Sequence, residues 1–197
     1  MNIVAINGST FSPSRTGVII GLLAEIVGRN LSQPVDRIDL VEAAPVLFRA
    51  LRSDALDIEG RNIVDRVEAA DVLVVGSPVY RASYTGALKH LFDLVDYRLL
   101  AGKVVVLAAT GGTPLHGLMI DHQLRPLFAF FQSIVVPTSV YATTADFADY
   151  SLINDEVRAR AERAAAEVAA LATHIAPGVR ITQGTAGART FLSRGRL

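Results

Sequence analysis

The sequence contains no cysteine, which excludes disulfides, thiol redox chemistry and cysteine-built metal sites together. It also lacks an excess of either charge, because nineteen Lys and Arg balance nineteen Asp and Glu. No bulk field draws the chain to nucleic acid or to an anionic membrane, so any anion site has to be local. Histidine is scarce, and His90, His116, His122 and His174 are too scattered to form a recognisable ligand set. No apolar run reaches the roughly 18 residues that a membrane-spanning helix needs. The first residues enter a strand with no basic and apolar leader ahead of them, so the expected location is the cytoplasm. The three-glycine dinucleotide fingerprint and the Gly-Lys-Ser/Thr of a nucleotide P-loop are also missing.

What remains is a chain of 197 residues, 51% hydrophobic and 19% charged, enough for one well-packed core. We place one domain over residues 1–176 and treat 177–197, with Arg180, Arg189, Arg194 and Arg196, as a flexible tail. The second reading of that tail is an arm over a neighbouring subunit. Three runs, Ile3 to Ile6, Asp71 to Gly76 and Lys103 to Ala109, are almost continuously apolar, as strands buried on both faces of a parallel sheet are. Pro34 to Leu40 alternates imperfectly and reads as an edge strand, and Ile134 to Tyr141 reads as the last strand. Helical spacing marks about Arg15 to Arg29, Gly60 to Ala69, Tyr84 to Tyr97, Leu115 to Gln132 and Ile153 to Ile175. Residues 41–58 show no clear period and are expected to form an ordered connection with room for a helical turn. Strands alternating with helices predict an α/β fold, a doubly wound five-stranded parallel sheet in the order 2-1-3-4-5 with helices on both faces.

The segment Leu115 to Gln132 departs from an ordinary surface helix in two ways. It is apolar nearly all round, so one core-facing stripe does not account for it. It also holds Pro126, whose ring crowds the carbonyl of His122 and whose nitrogen cannot donate to it. A kink or π-bulge is expected from His122 to Pro126, and the surplus apolar surface predicts packing against the same helix of another subunit.

In a sheet of this order ligands sit beyond the carboxyl ends of the strands, where the strand order reverses. Three loops meet there: Ser9 to Thr16, Pro78 to Ser83 and Thr110 to Thr113. The first ends in Arg15 at a helix N-terminus, where free N–H groups and the helix dipole favour an anion such as a phosphate. Each loop also has a plain structural reading. Ser12-Pro13-Ser14 serves as a turn and cap, Pro78 shapes a turn, Tyr80 fills a core, and Gly111-Gly112 makes a hinge.

The combination Gly8-Ser9 with Ser14-Arg15-Thr16, then Gly76-Ser77-Pro78-Val79-Tyr80 with Ser83-Tyr84-Thr85-Gly86-Ala87-Leu88-Lys89, then Thr110-Gly111-Gly112, resembles the NAD(P)H-dependent FMN reductases of the flavodoxin-like proteins. The resemblance spans about residues 1–175, and the middle motif is its most specific part. Within that family the chain is most similar to the reductase components of two-component alkanesulfonate monooxygenases. The resemblance implies that Ser9, Ser14, Arg15 and Thr16 hold the FMN phosphate and that Pro78, Val79, Tyr80, Arg81 and Ser83 lie along the isoalloxazine ring. Thr110, Gly111, Gly112 and Thr113 would then contact the polar edge of the ring, with His116 close by.

It further implies hydride transfer from NADPH or NADH to an FMN that is substrate or loosely bound. The reduced flavin would pass to a partner monooxygenase in alkanesulfonate or organosulfur metabolism, and the chain would form a homodimer or homotetramer. No side chain need act as acid or base, since the protein chiefly aligns two rings. Related alkanesulfonate reductases carry an inserted aromatic, commonly tyrosine, in a π-helix at a tetramer interface; His122 departs from that pattern. Two alternatives stay open, an FMN-containing quinone, azo or metal-oxyanion reductase and a flavodoxin-like electron carrier. Carriers of the second kind are, by resemblance, strongly acidic, unlike this neutral chain.

Overall fold

The computed structural model describes residues 1–174. Strands β1 (Ile3–Asn7), β2 (Val35–Asp39), β3 (Val72–Pro78) and β4 (Val104–Gly111) form a parallel sheet with β2 outermost, then β1, β3 and β4. The strands divide their side chains between two cores, as the two-residue period requires. On one face Ile3, Ala5, Val72, Val74, Val104 and Val106 pack against α1 (Arg15–Leu31) and α6 (Asp155–Ala172). On the other, Val4, Ile6, Leu73, Val75, Val105 and Leu107 pack against α2 (Leu40–Leu47), α3 (Ile58–Glu68) and α4 (Gly86–Leu94), and against α5 (Arg125–Phe130) through Phe128.

The fifth position of the sheet is not the single strand expected from Ile134 to Tyr141. Two short strands, β5 (Ile134–Val135) and β6 (Val140–Thr143), pair with successive stretches of β4, giving six strands in all. Pro137 lies between them without an N–H to give to a ladder. The Arg125 guanidinium takes the carbonyls of Val136 and Pro137 at 3.0 and 2.6 Å. The Thr138 N–H and hydroxyl donate to the Glu167 carboxylate at 2.8 and 2.6 Å. The polar groups of the break are therefore satisfied from two helices.

Three further differences have local causes. Leu40, expected to end the edge strand, and residues 41–47 of the expected connection form the helix α2, which follows β2 directly and holds Pro45 within it. A hairpin of β7 (Phe147–Ala148) and β8 (Ser151–Leu152), too short to show a period, precedes α6. The long apolar helix is divided into a 3-10 turn at Pro114–Gly117, a π segment at Ile120–Leu124 and α5. The π segment overlaps the expected stretch at His122–Leu124 but begins two residues earlier, with the Arg125 N–H donating five residues back to Ile120. Met119, Ile120, Leu124, Phe128 and Phe131 of this segment are buried, whereas Leu115, Leu118 and Phe130 are exposed.

His90, expected on a helix surface, is half-buried: its ring stacks on Phe48 at 4.3 Å and its Nε2 lies 3.1 and 3.0 Å from the carbonyls of Leu47 and Ala50. It pins the end of α2. Among the described residues no helix is long and apolar enough to cross a membrane. The predicted end of the last helix at Ile175 and the tail 177–197 lie outside the described residues.

Candidate functional site

The carboxyl ends of β1, β3 and β4 are drawn together by backbone. The Gly8 N–H donates to Gly76 O at 2.7 Å, and a Cβ on Gly8 would stand 2.6 Å from that same oxygen. Only glycine permits so close an approach. Thr85 ties the start of α4 to the same point. Its hydroxyl donates to Gly8 O at 2.8 Å and accepts the Leu88 N–H, while its own N–H donates to Ser77 Oγ at 3.0 Å. Above this junction lies an open cleft of about 280 Å³.

The first loop supplies one wall through Ser9, Ser14, Arg15 and Thr16. Ser9 is buried and holds the loop to itself: its hydroxyl bonds Phe11 O at 3.1 Å and accepts the Phe11 N–H at 3.2 Å. Ser14 is the N-cap of α1, its Oγ accepting the Gly17 N–H at 3.0 Å. The amides of Arg15 and Thr16 in that first turn have no carbonyl of their own helix to bond. Thr16 Oγ1 lies 2.7 Å from Thr110 Oγ1, a buried bridge from the first loop to the third.

Arg15 is the informative residue. Its Nε is buried with no hydrogen-bond partner among the described residues, a state that ordinarily costs free energy. Its guanidinium lies 5.9 Å from the Phe147 ring centroid and 6.0 Å from that of Tyr150, within cation–π range. A cation at a helix N-terminus opposes the helix dipole, so an anion in front of it would relieve both conditions.

Pro78, Val79 and Tyr80 form a second wall and Thr110, Gly111 and Gly112 a third. A Cβ on Gly112 would meet nothing within 4 Å, whereas one on Gly111 would run into Tyr141 and His116. The Tyr141 hydroxyl donates to Thr113 O at 2.5 Å. Burial, with Asp146 nearby, pushes that phenol above its usual range, so it stays a donor.

Four residues from the predicted set lie outside the cleft wall. Arg81 is exposed at the tip of a turn, Ser83 points to Gln123, Thr113 offers its carbonyl to Tyr141, and His116 is exposed beside Gly111. The wall also includes Phe11, Pro13, Thr143, Thr144 and Tyr150, which sequence reasoning missed. Thr143 ends β6 and Thr144 follows it, so the rule that ligands sit at strand carboxyl ends would have found them once β6 was separated from β5. Tyr150 comes from the β7–β8 hairpin, which carried no signal.

Asp146 fixes that hairpin. Its carboxylate accepts the Thr143 N–H at 2.6 Å, the Thr143 hydroxyl at 2.8 Å and Asn154 Nδ2 at 2.6 Å. Partial burial acts to raise its pKa, but the bonds from Thr143 and Asn154 together outweigh it and hold the carboxyl below its ordinary value. A depressed carboxylate stabilises the fold above the unfolded-state pKa and loses that contribution as pH falls through the folded-state value. Asp146→Asn should therefore melt below wild type at pH 7, with the gap closing as pH falls below about 4; thermal melts at the two pH values check this.

Residues 1–147 match the family described as NADPH-dependent FMN reductase. The chain belongs to this family. It is 46% identical to the FMN reductase (NADPH) of Pseudomonas aeruginosa over 86% of this chain and 91% of that one. It is also 46% identical to the NADH-dependent FMN reductase SfnF of Pseudomonas fluorescens, over 92% and 97%. Among solved structures, an oxidoreductase from Corynebacterium diphtheriae superposes with a TM-score of 0.80 at 35% identity, over 89% of this chain and 98% of that one. The cleft of this FMN reductase family member suits FMN on its own chemistry: an unpartnered buried arginine nitrogen for a phosphate and an unobstructed glycine backbone for a flat ring.

Proposed function

We propose that this NAD(P)H:FMN oxidoreductase binds FMN in the cleft described above, as a substrate rather than as a permanent group, and delivers the reduced flavin to a partner monooxygenase of organosulfur metabolism. The observation that carries the placement of FMN is the buried Arg15 Nε without a partner at the start of α1. Arg15, the Ser14 hydroxyl and the first-turn amides would hold the phosphate. Pro78, Val79 and Tyr80 offer apolar contact to the ring, and the Gly111–Gly112 backbone approaches its polar edge. When bound, the flavin supplies the electron acceptor, taking a hydride from the nicotinamide. The chain's own part is to orient the ring and shield it from water, which requires no acid or base.

The test is flavin content after purification, followed by NADH and NADPH oxidation with and without added FMN. We expect nearly flavin-free protein whose turnover depends on added FMN. Protein that purifies yellow and saturated, and reduces quinones without added FMN, would overturn the substrate role.

We further infer a homo-oligomer through the segment around His122. Leu115, Leu118 and Phe130 are exposed on it (76%, 54% and 67%), more apolar surface than a monomer ordinarily leaves on one segment. Light scattering at micromolar concentration should give at least a dimer, and a monomer would remove the inference.

A further inference from the structure

Between the second loop and the π segment lies a contact that neither the family assignment nor the cleft wall accounts for. Tyr80 and Ser83 exchange backbone bonds of 2.9 and 3.0 Å, closing a two-residue turn at Arg81 and Ala82. Both residues of the turn are left-handed, with φ of 51° and 63°, a conformation disfavoured for any residue with a Cβ and ordinarily given to Gly, Asn or Asp. Two such residues in succession need an external restraint. The Gln123 carboxamide supplies one: its Nε2 donates to Ala82 O at 2.6 Å and its Oε1 accepts the Ser83 hydroxyl at 2.5 Å.

Gln123 is well placed for this. It lies inside the π segment, between Ile120 and Leu124, which are 1% and 0% exposed. Core packing fixes its backbone on both sides while its side chain reaches the turn. The turn in turn follows Pro78, Val79 and Tyr80 without a break, and those residues form the wall of the cleft.

We propose that Gln123 is a positioning residue for flavin binding: by clamping the left-handed Arg81–Ala82 turn it sets the Pro78–Tyr80 wall against which the ring lies. The inference rests on the reading of the cleft as the FMN site, and it assigns the π segment a task within one subunit. Gln123 touches the turn and not the cleft, so it acts only through the loop.

The test uses the full chain and three variants. Gln123→Leu keeps the size and removes both bonds, Ser83→Ala removes one, and Gln123→Leu with Ala82→Gly gives the turn a residue that is left-handed at no steric cost. Binding is read by quenching of flavin fluorescence, with FMN and with riboflavin. Loop order is read without flavin, by amide hydrogen exchange at Tyr80 and Ser83.

Gln123→Leu should weaken both flavins by the same factor, about tenfold for two hydrogen bonds, because they share the ring. It should also speed exchange at both amides. Ser83→Ala should do part of this, and Ala82→Gly should restore most of the loss. Unchanged affinity and exchange in Gln123→Leu would overturn the proposal, as would a loss confined to FMN or one that Ala82→Gly does not repair. If exchange responds as expected but wild type binds neither flavin, the clamp stands and the reading of the cleft falls.

Discussion

Arg15→Ala is expected to weaken FMN binding by roughly ten- to a hundredfold while changing riboflavin affinity less than about twofold. The first figure is the loss of a charge-assisted contact of about 1.5–3 kcal/mol converted to an equilibrium ratio. The second follows because riboflavin lacks the phosphate. Fluorescence titration of both flavins measures the two effects in one experiment. The Nε that is lost has no partner among the described residues, but the substitution also removes the cation–π contacts to Phe147 and Tyr150, and the riboflavin titration controls for any resulting shift of that hairpin. Equal weakening for both flavins would take the phosphate away from α1, and with it the direction in which the ligand lies along the cleft.

Gly8→Ala should be the most damaging small substitution. The new Cβ would lie 2.6 Å from Gly76 O, the oxygen that accepts the Gly8 N–H at 2.7 Å. The obstacle is backbone and cannot rotate away, so the ends of β1 and β3 must part. That also pulls Gly8 O from the Thr85 hydroxyl, which lies 2.8 Å away and caps α4. We expect the upper part of the range for an overpacked core, about 3 kcal/mol, and a fall in Tm of roughly 6–12 °C for a chain of this size. Flavin affinity should fall with it, because the loops that spring from those strand ends form the cleft. A melt within about 2 °C of wild type would show that the strands can separate there at little cost.

How much of this could be read beforehand depends on where each constraint lies. β1, β3 and β4 are covered on both faces, so burial writes itself into the sequence as Ile3-Val4-Ala5-Ile6 or Val104-Val105-Val106-Leu107, and the sheet order follows from handedness and connection rules. The break between β5 and β6 depends on Arg125 and Glu167, which local periodicity does not connect to Pro137. Helix α2 was obscured by Pro45, and β7 and β8 are two residues each. At the site, the three loops were legible because the fold brings strand ends together. The setting of Arg15 was not, since Phe147 and Tyr150 reach it from a hairpin with no pattern of its own. Ser83 illustrates the limit: its position in the second loop pointed toward the ring, yet its hydroxyl goes to Gln123, whose reach depends on the π turn.

The broken strand also bears on how the molecule behaves among its own copies. An open sheet margin is a template on which a foreign strand can lay itself down and start a fibre. At Val136–Thr138 the groups that would recruit such a strand are already taken by Arg125 and Glu167, and Pro137 offers nothing to pair with. Growth by strand annexation is thereby blocked at the middle of that margin, so a foreign strand would have to lie along the opposite edge, β2, instead.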